Sequence, residues 1–326
     1  MLQRRSLLTS MLAAPAVIAV TTRGARAQAA WPNKPVKLIL PYAPGGATDM
    51  IGRPWADKLG GAFGQPFVVD NRGGASGAIG TEAVAKSAAD GYTFLLTPSA
   101  PLTVLPHMRK VGYVPAKDLM PVGRVGDLVC GFTIVASLGI NSIAELIAHA
   151  KKNPGKLAFG SAGAGTSTHM RIEALKAAAG IDILHVPYRG SADALNDLLA
   201  GNVHIMNEIN VIPHVKAGKL KLLNVNHPTR HPDFPNVPTL TEVGFPGIDV
   251  PVWYSIWAPA GTPKAIIDAL NRKVVELGQA PDMVARMQNI NVVVPPETPE
   301  EMAAFFNMDS AVNLKLIQDA KITLDG

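Results

Sequence analysis

The chain has 326 residues, of which 48% are hydrophobic, and it carries 30 basic against 25 acidic side chains, a net charge of +5. Without the four arginines of residues 1–27 the balance is 26 to 25. This balance gives no support for nucleic-acid binding, which needs a clustered basic face. The apolar content excludes disorder, and a single cysteine, Cys130, excludes an internal disulfide and lies in an apolar run typical of a buried thiol.

The N-terminal residues are typical of a secretion signal. Arg4 and Arg5 precede a short apolar run, and the sequence ARA at 25–27 reads as a cleavage site. The apolar run is too short for a stable membrane span. We therefore predict a signal peptide over residues 1–27 and a periplasmic protein. The paired arginines are a partial match to a twin-arginine signal, so both this route and Sec export stay open.

Strand-like and helix-like patterns alternate along the rest of the chain. The β-rich runs at 36–42, 66–71 and 92–99 are separated by helical patterns, and the alternation resumes after residue 128. Such alternation predicts an α/β fold with parallel-type sheets covered by helices on both faces. The 299 residues that follow the signal suggest two domains at roughly 150 residues each.

A proline-rich loop at 226–247 interrupts this rhythm, and a strand at 250–261 and a helical C-terminal part follow it. We predict that this last part returns to the first domain. Domain 1 then comprises residues 28–128 and 254–326, and domain 2 comprises 129–253. The chain would then cross between the two domains twice, and these crossings would form a hinge with a cleft between the domains. Ligands of such sheets bind beyond the carboxyl ends of the strands, which would lie at this cleft.

The first candidate binding loop is PGGATD, which follows the first predicted strand and opens a helix. The backbone N–H groups at Gly46, Ala47 and Thr48 would donate hydrogen bonds to an anion, with the Thr48 hydroxyl adding one more. The alternative is an ordinary loop in which Thr48 or Asp49 caps the helix. The residues alone leave these two interpretations open.

The second candidate loop, at 159–170, offers Ser161, Thr166, Ser167 and several backbone N–H groups. Its GxxxxG spacing resembles a phosphate-binding loop, but Thr166 stands where that motif needs lysine. Ser167 and His169 are two residues apart, so their side chains would not face each other on a helix. This spacing argues against a hydrolase.

Two further strand ends carry polar residues. Arg189 either pairs with a ligand carboxylate or is solvated, and Ser191 is a plausible helix cap. Asn207 and Glu208 end another strand, and Glu208 either accepts from a ligand amine or hydroxyl or is a surface charge. The eight histidines show no metal-binding spacing, so we predict no metal and no cofactor.

Several motifs, in this order and over essentially the whole chain after the signal, resemble the Bug/TctC-type receptors, the extracytoplasmic binding proteins of tripartite tricarboxylate transporters. They are PYAPGGATD, VVDNRGGASGAIG, DGYTFLL, FGSAGAGTSTHM, HVPYRG, PHVKAGKL, NVPTLTEVGFPG and WYSIWAPAGTP. The resemblance implies a type II periplasmic binding protein that closes like a Venus flytrap over a small carboxylate. It also implies delivery to a large and a small membrane subunit. We further expect a monomer.

Carried over by position, the resemblance implies that the two glycine-containing loops hold the ligand carboxylate. The predicted ligand-binding residues are Tyr42, Gly46, Ala47, Thr48, Asp49, Ser99, Ser161, Thr166, Ser167, His169, Arg189 and Asn207. One departure is VHIMNEI, at 203–209, where many members read roughly VDLMFD. This segment helps to choose the distal end of the ligand.

We predict a receptor without enzymatic activity. Two alternatives remain at the level of the sequence. One is a sensor that binds a carboxylate in the same way and signals to a membrane protein. The other is a secreted hydrolase or isomerase, which would need a base of perturbed pKa in the cleft, with Glu208 as the best candidate.

Overall fold

A computed structural model describes residues 31–227, 229–231, 233–248, 252–319 and 322–323. The predicted signal peptide therefore lies outside the described residues. The described part is built on two β-sheets, each with its own hydrophobic core. The strands are β1 (Val36–Leu40), β2 (Phe67–Asn71), β3 (Thr93–Pro98), β4 (Leu119–Leu128), β5 (Thr133–Val135), β6 (Ala158–Ser161), β7 (Leu184–Pro187), β8 (Ile205–Met206), β9 (Leu220–Leu222), β10 (Val252–Pro259) and β11 (Val292–Val293).

Helices follow most of the strands, as the alternating pattern predicts. The α-helices are α1 (Ala47–Phe63), α2 (Ala78–Ala85), α3 (Ala100–Thr103), α4 (Leu105–Met108), α5 (Pro115–Asp118), α6 (Ile143–Lys152), α7 (Ser167–Ala179), α8 (Ser191–Ala200), α9 (Ile212–Lys216), α10 (Lys264–Gly278), α11 (Pro281–Gln288) and α12 (Pro299–Asp319). Short 3₁₀ turns lie at Ala75–Gly77, Ala136–Leu138 and Ile209–Val211.

The two sheets are mixed, and their strand order places the binding loops. The first sheet has the order β11-β4-β10-β3-β1-β2, and the second has β7-β6-β8-β5-β9. Within each sheet a parallel set, β2-β1-β3 or β7-β6-β8, continues into antiparallel strands. The α/β fold of a two-domain periplasmic binding protein is confirmed, but the expectation of purely parallel pairing is wrong for β4, β5, β9, β10 and β11.

The domain boundaries proposed from the sequence stay a prediction. β4 of the first sheet ends at Leu128 and β5 of the second begins at Thr133, on either side of the proposed boundary after residue 128. The second proposed boundary, after residue 253, falls inside β10, which pairs with β3 and β4 of the first sheet. The lobe that contains the first sheet is called lobe 1 below, and the lobe that contains the second sheet is lobe 2.

The helix α1 is held to lobe 1 by one apolar face. Ile51, Trp55 and Leu59 are spaced by four residues and are completely buried, as expected for a helix that packs on a sheet. The Trp55 Nε1 donates to the carbonyl of Val125 in β4, at 2.9 Å. Pro54 lies inside α1, beyond its first turn, and the helix continues past it to Gly64, whose φ of 67° ends the helix.

The C-terminal helix α12 returns to lobe 1, as predicted. Trp253 and Trp257 on β10 are buried and make edge-on contacts with Phe305 and Phe306 of α12, with ring centroids 5.6 and 5.3 Å apart. Such aromatic pairs stabilise a contact beyond the area they bury. The strand that links the lobes is thereby fixed in lobe 1.

Two glycines of α1 make a matched pair for a stability test. A Cβ at Gly52 would collide with the fully buried Leu40 side chain, whereas a Cβ at Gly61 meets no described heavy atom within 4 Å. We expect Gly52→Ala to lower the free energy of unfolding by about 1–3 kcal/mol through overpacking. Gly61→Ala should raise it by roughly 0.5–1 kcal/mol, because alanine loses less backbone entropy. Urea unfolding measures both, and equal effects would contradict the packing of α1 on β1.

Candidate functional site

The carboxyl ends of five strands meet between the two lobes. β1 leads into α1, β3 into Ser99, β6 into α7, β7 into α8, and β8 into Glu208. In open α/β sheets this edge is where ligands bind, because side chains and helix starts from separate strands converge there. The strand ends enclose a cavity of about 30 Å³. A volume of this order accommodates a small polar group such as a carboxylate or two waters.

The start of α1 forms the lobe 1 wall of the cavity. Gly45 has a φ of 81°, which favours glycine, and Gly46 is extended, so the chain turns sharply from β1 into the helix. Ala47 and Thr48 are the first helical residues. Among the described residues, no acceptor is found for the Thr48 backbone N–H. Such orphan donors of a first helical turn carry the positive end of the helix dipole.

The start of α7 faces it from lobe 2. Thr166 caps this helix, since its hydroxyl accepts from the His169 N–H at 3.3 Å. The backbone N–H groups of Ser167 and Thr168 have no acceptor within the described part of the chain. Three orphan N–H groups, at Thr48, Ser167 and Thr168, therefore belong to residues that line one cavity.

The lobes touch each other directly around the cavity. The Ala47 N–H donates to the Ser191 Oγ at 2.9 Å, and the hydroxyls of Ser99 and Ser167 are 2.7 Å apart. Ser191 is thus the first residue of α8 and contacts lobe 1, whereas the sequence suggested that it caps its own helix. A Cβ at Gly46 would lie 2.9 Å from the Ser191 Oγ, so glycine permits this close approach. The structure is a closed cleft.

Glu208 is the one acidic side chain on the described wall of the cavity, and no lysine, arginine or histidine joins it there. Its side chain is 4% exposed, and its Oε1 accepts from the Thr168 hydroxyl at 3.1 Å. Burial raises the pKa of Glu208 to about 7, while the Thr168 hydrogen bond and the charge of Arg171 act in the opposite direction. Burial, together with the Glu208 charge, also raises the pKa of Tyr42.

Half of the predicted site residues lie on the cavity wall and half do not. Those on the wall are Tyr42, Gly46, Ala47, Thr48, Thr166 and Ser167. The wall also contains residues absent from the prediction: Ala43, Pro98, Ala100, Ala162, Thr168, Ser191, Glu208, Val252 and Tyr254. Thr168 continues a loop already recognised and could have been included. Tyr254 and Val252 could not, because β10 reaches the cavity from a distant part of the sequence.

Asp49, which the sequence offered both as a candidate ligand contact and as a cap or brace of the loop, braces the first loop. Its Oδ2 accepts from the Gly45 N–H at 2.9 Å and from the Arg53 Nε at 2.8 Å, and its Oδ1 accepts from the Asn71 Nδ2 at 2.9 Å. Burial alone would raise the pKa of Asp49, but these hydrogen bonds outweigh burial and hold the pKa below its ordinary value. The carboxylate is thereby turned toward its own loop and helix.

Ser161 and His169 lie behind the second loop. The fully buried Ser161 Oγ is 2.6 Å from the His185 Nε2 and accepts from the Gly163 N–H at 3.1 Å. The His169 Nδ1 accepts from the Gly165 N–H at 3.0 Å, and its ring stacks on His185 with centroids 3.8 Å apart. Both side chains bind backbone groups of the loop, and neither lines the cavity.

The remaining three predicted residues also lie off this wall. Ser99 lines a second, neighbouring cavity and reaches the first through Ser167. Arg189 is exposed on the turn after β7, which matches the solvated alternative. The fully buried Asn207 Oδ1 accepts from the Cys130 Sγ at 3.2 Å and from the Asn226 Nδ2 at 2.8 Å, so it braces the end of β8.

The model of one protein family, described as the tripartite tricarboxylate transporter family receptor (TctC), matches residues 51–322. This chain belongs to the TctC family. The protein BugT of Bordetella pertussis is similar to it, with 39% identity over 84% of this chain and 86% of BugT. The resemblance found in the sequence motifs is thereby confirmed.

Solved structures of the TctC family superpose closely on this one. The periplasmic binding protein BugD, 33% identical, has a TM-score of 0.85 with 90% of this chain and 99% of BugD covered. Rpa4515 of R. palustris, solved with adipate, is 33% identical, with a TM-score of 0.86 and 90% and 99% covered. MatC of Rhodopseudomonas palustris, solved with malate, is 26% identical, with a TM-score of 0.83 and 88% and 100% covered.

Two negative observations apply to the described residues of this TctC-family chain. None of their helices is both long and apolar enough to cross a membrane. No cluster of three or more His, Cys, Asp or Glu side chains suited to a metal ion occurs among them.

The brace at Asp49 predicts a pH-dependent contribution to stability. Because the folded pKa of Asp49 is lowered, its contribution is present above the unfolded pKa of about 4 and is lost as the pH falls through the folded pKa. Asp49→Asn should lower the free energy of unfolding by roughly 1 kcal/mol at pH 7. The deficit should shrink below about pH 4.

The matched control is Asp57→Asn, which changes an exposed carboxylate on the same helix. It should leave the free energy of unfolding at pH 7 nearly unchanged. Urea unfolding between pH 3 and 7 measures both variants. A deficit for Asp49→Asn that stays constant over that range would contradict the brace.

Proposed function

We propose that this TctC-family chain is a periplasmic solute-binding receptor, which captures a small carboxylate by closure of its two lobes and releases it unchanged. The observation that carries the proposal is the set of three orphan N–H groups around one cavity, at Thr48, Ser167 and Thr168. Two helix starts that face each other supply partial positive charge without a cationic side chain. An anion held in this way can leave when the lobes part.

The contacts across the cleft support a mechanism of closure. Ala47 with Ser191, and Ser99 with Ser167, join the lobes through short polar side chains and backbone groups. Each hydrogen bond contributes only about 0.5–1.5 kcal/mol, so these contacts alone hold the lobes together weakly. A ligand that bridges the start of α1 and the start of α7 would supply the remaining stabilisation of the closed state. Because it would make both contacts only when the cleft is closed, it would shift the population toward that state.

The six predicted residues on the cavity wall are the ones we propose as direct ligand contacts. They come from both lobes, as closure over a ligand requires. Bound adipate and malate in two structures similar to this one support a carboxylate as the ligand. We propose Asp49, Ser161 and His169 as residues that position the loops, and Ser99 as a contact between the lobes.

The rest of the proposal concerns export and transport. Residues 1–27 would direct the chain to the periplasm and be removed, by the Sec or the twin-arginine route. The receptor would deliver the bound carboxylate to a large and a small membrane subunit, and the description of the family as a transporter receptor supports a transporter as its destination. We propose that the receptor does so as a monomer and performs no chemistry on its ligand.

A thermal-shift and calorimetry screen tests the receptor function. The protein without residues 1–27 would be unfolded and refolded to remove bound solute, and then mixed with mono-, di- and tricarboxylates, amino acids and aromatic acids. A ligand at one hundred times its dissociation constant should add about 2.7 kcal/mol to the free energy of unfolding. A bound acid recovered unchanged supports the receptor; an acid converted to product contradicts it.

Ser167 offers a test of the N–H groups themselves. It is the first residue of α7, where proline is tolerated, and the extended Thr166 before it suits a following proline. Ser167→Pro and Ser167→Ala both remove the hydroxyl, but only the proline also removes the N–H. We expect Ser167→Pro to bind the carboxylate about tenfold more weakly than Ser167→Ala, since hydrogen bonds to charged groups contribute about 1.5–3 kcal/mol.

Isothermal calorimetry measures both affinities, and circular dichroism confirms that both variants are folded. If Ser167→Pro and Ser167→Ala bind the carboxylate equally well, the start of α7 does not hold it.

A further inference from the structure

One carboxylate lies in a cavity that is otherwise suited to an anion. Glu208 is 4% exposed and follows β8 on the cavity wall, where its Oε1 accepts from the hydroxyl of Thr168 at the start of α7. A surface glutamate would be unremarkable, but a buried acidic side chain in a carboxylate site demands a partner. Burying an unpaired charge is costly.

The described residues provide a hydrogen bond to only one of the two Glu208 carboxylate oxygens. The Oε1 of Glu208 accepts from the Thr168 hydroxyl, and no hydrogen bond is found for Oε2 among the described residues. Oε2 is not one of the fully buried polar atoms without a hydrogen-bond partner, so protein atoms do not enclose it completely. Oε2 is therefore the oxygen available to a bound molecule.

The other titratable and charged groups around Glu208 compensate its charge only in part. Tyr42, Tyr254 and Cys130 all interact with its charge, and burial keeps the pKa of each above its ordinary value, so they are neutral near pH 7. Arg171 on α7 attracts Glu208, but its Nε donates to the carbonyl of Ile248 and it lines the neighbouring cavity.

Charge then decides which ligand group suits Glu208. A second carboxylate beside Glu208 would repel its ionised form, whereas a neutral group would add no charge to the partial compensation that Arg171 and Thr168 provide. A protonated amine provides both a full positive charge and hydrogen-bond donors, and such charge-assisted bonds are the strong ones.

We infer that Glu208 is a specificity-determining residue that pairs with a protonated amino group, so that the receptor takes an amino acid in preference to the matching hydroxy acid or unsubstituted acid. The inference rests on the proposed receptor function and deepens it. The helix starts bind the carboxylate of the amino acid, and Glu208 binds its ammonium group.

The pKa of Glu208 adds a second consequence. Since that pKa is raised to about 7, part of the Glu208 population is protonated near neutral pH and must ionise before it pairs with an ammonium group. Binding should therefore release protons near pH 7. The affinity for the amino acid should rise between pH 6 and 8 and level off above that range.

The test uses two series of ligands, and the three acids within each series differ only in the substituent on one carbon. The series are propionate, lactate and alanine, and succinate, malate and aspartate. Isothermal calorimetry would compare the wild-type protein with Glu208→Gln, which keeps the size of the side chain and removes its charge. Glu276→Gln, at an exposed position on α10, is the matched control.

In at least one series the wild type should bind the amino acid about tenfold more tightly than the other two acids. Glu208→Gln should lose that preference and its pH dependence, whereas Glu276→Gln should keep both. Proton release by the wild type, measured in buffers of different ionisation enthalpy, does not depend on any variant being folded.

If in both series the hydroxy acid or the unsubstituted acid binds as tightly as the amino acid, the role of Glu208 is overturned and the receptor function stands. The same holds for an amino-acid preference that Glu208→Gln retains. If no member of the broader carboxylate panel binds, the receptor function itself fails, and the inference fails with it.

Discussion

The N–H groups in the first turns of α1 and α7 are the feature on which the rest of the site depends. Those of Thr48, Ser167 and Thr168 have no acceptor among the described residues, because a helix supplies none in its first turn, and they are close together because two helices begin at the same cavity. Gly45 turns the chain from β1 into α1, Asp49 fixes that turn, and Thr166 caps α7 through the His169 N–H, leaving the N–H groups of Ser167 and Thr168 without an acceptor in the described chain.

Closure of the cleft requires small groups where the two lobes meet. A side chain at Gly46 would meet the Ser191 hydroxyl, and a side chain at Gly163 would meet the Ser76 hydroxyl at 2.6 Å, so both loops approach the opposite lobe with backbone alone. The Ser76 Oγ also donates to the carbonyl of Ala164 in the second loop. Short contacts of this kind are individually weak, which suits a cleft that must reopen.

Much of this architecture could be predicted from the sequence, because it depends on local patterns. The glycine turns before α1 and α7 and the apolar spacing of Ile51, Trp55 and Leu59 are visible without a structure. β4 was not predicted, because Pro121, Gly123 and Gly126 are unusual inside a strand. The strand also pairs irregularly with β10. Long-range pairing also hid the direction of β10 and the presence of Tyr254 at the cavity.

The predicted site residues divide for a physical reason. Residues at the helix starts, such as Thr48 and Ser167, line the cavity because α1 and α7 both begin there, and the start of a helix can be recognised from local sequence. Side chains were harder to assign, because Asp49, Ser161 and Asn207 have polar atoms that could serve either a ligand or a loop. The partners of Ser161 and Asn207, which are His185 and Asn226, are remote in the sequence, so no local pattern reveals them. Arg53 lies four residues after Asp49 on the same helix, and its pairing with Asp49 could have been recognised from that spacing.

This division of labour explains how a family could change its ligand while keeping its fold. Backbone N–H groups recognise a carboxylate whatever the loop side chains are, provided that the turns and caps persist. The end of β8 has no such redundancy, since a single side chain there, Glu208, is the one acidic group on the described wall of the cavity. Glu208 stands in the VHIMNEI segment, outside both helix starts, so a substitution there changes the charge of the site while the turns that open α1 and α7 keep their sequence.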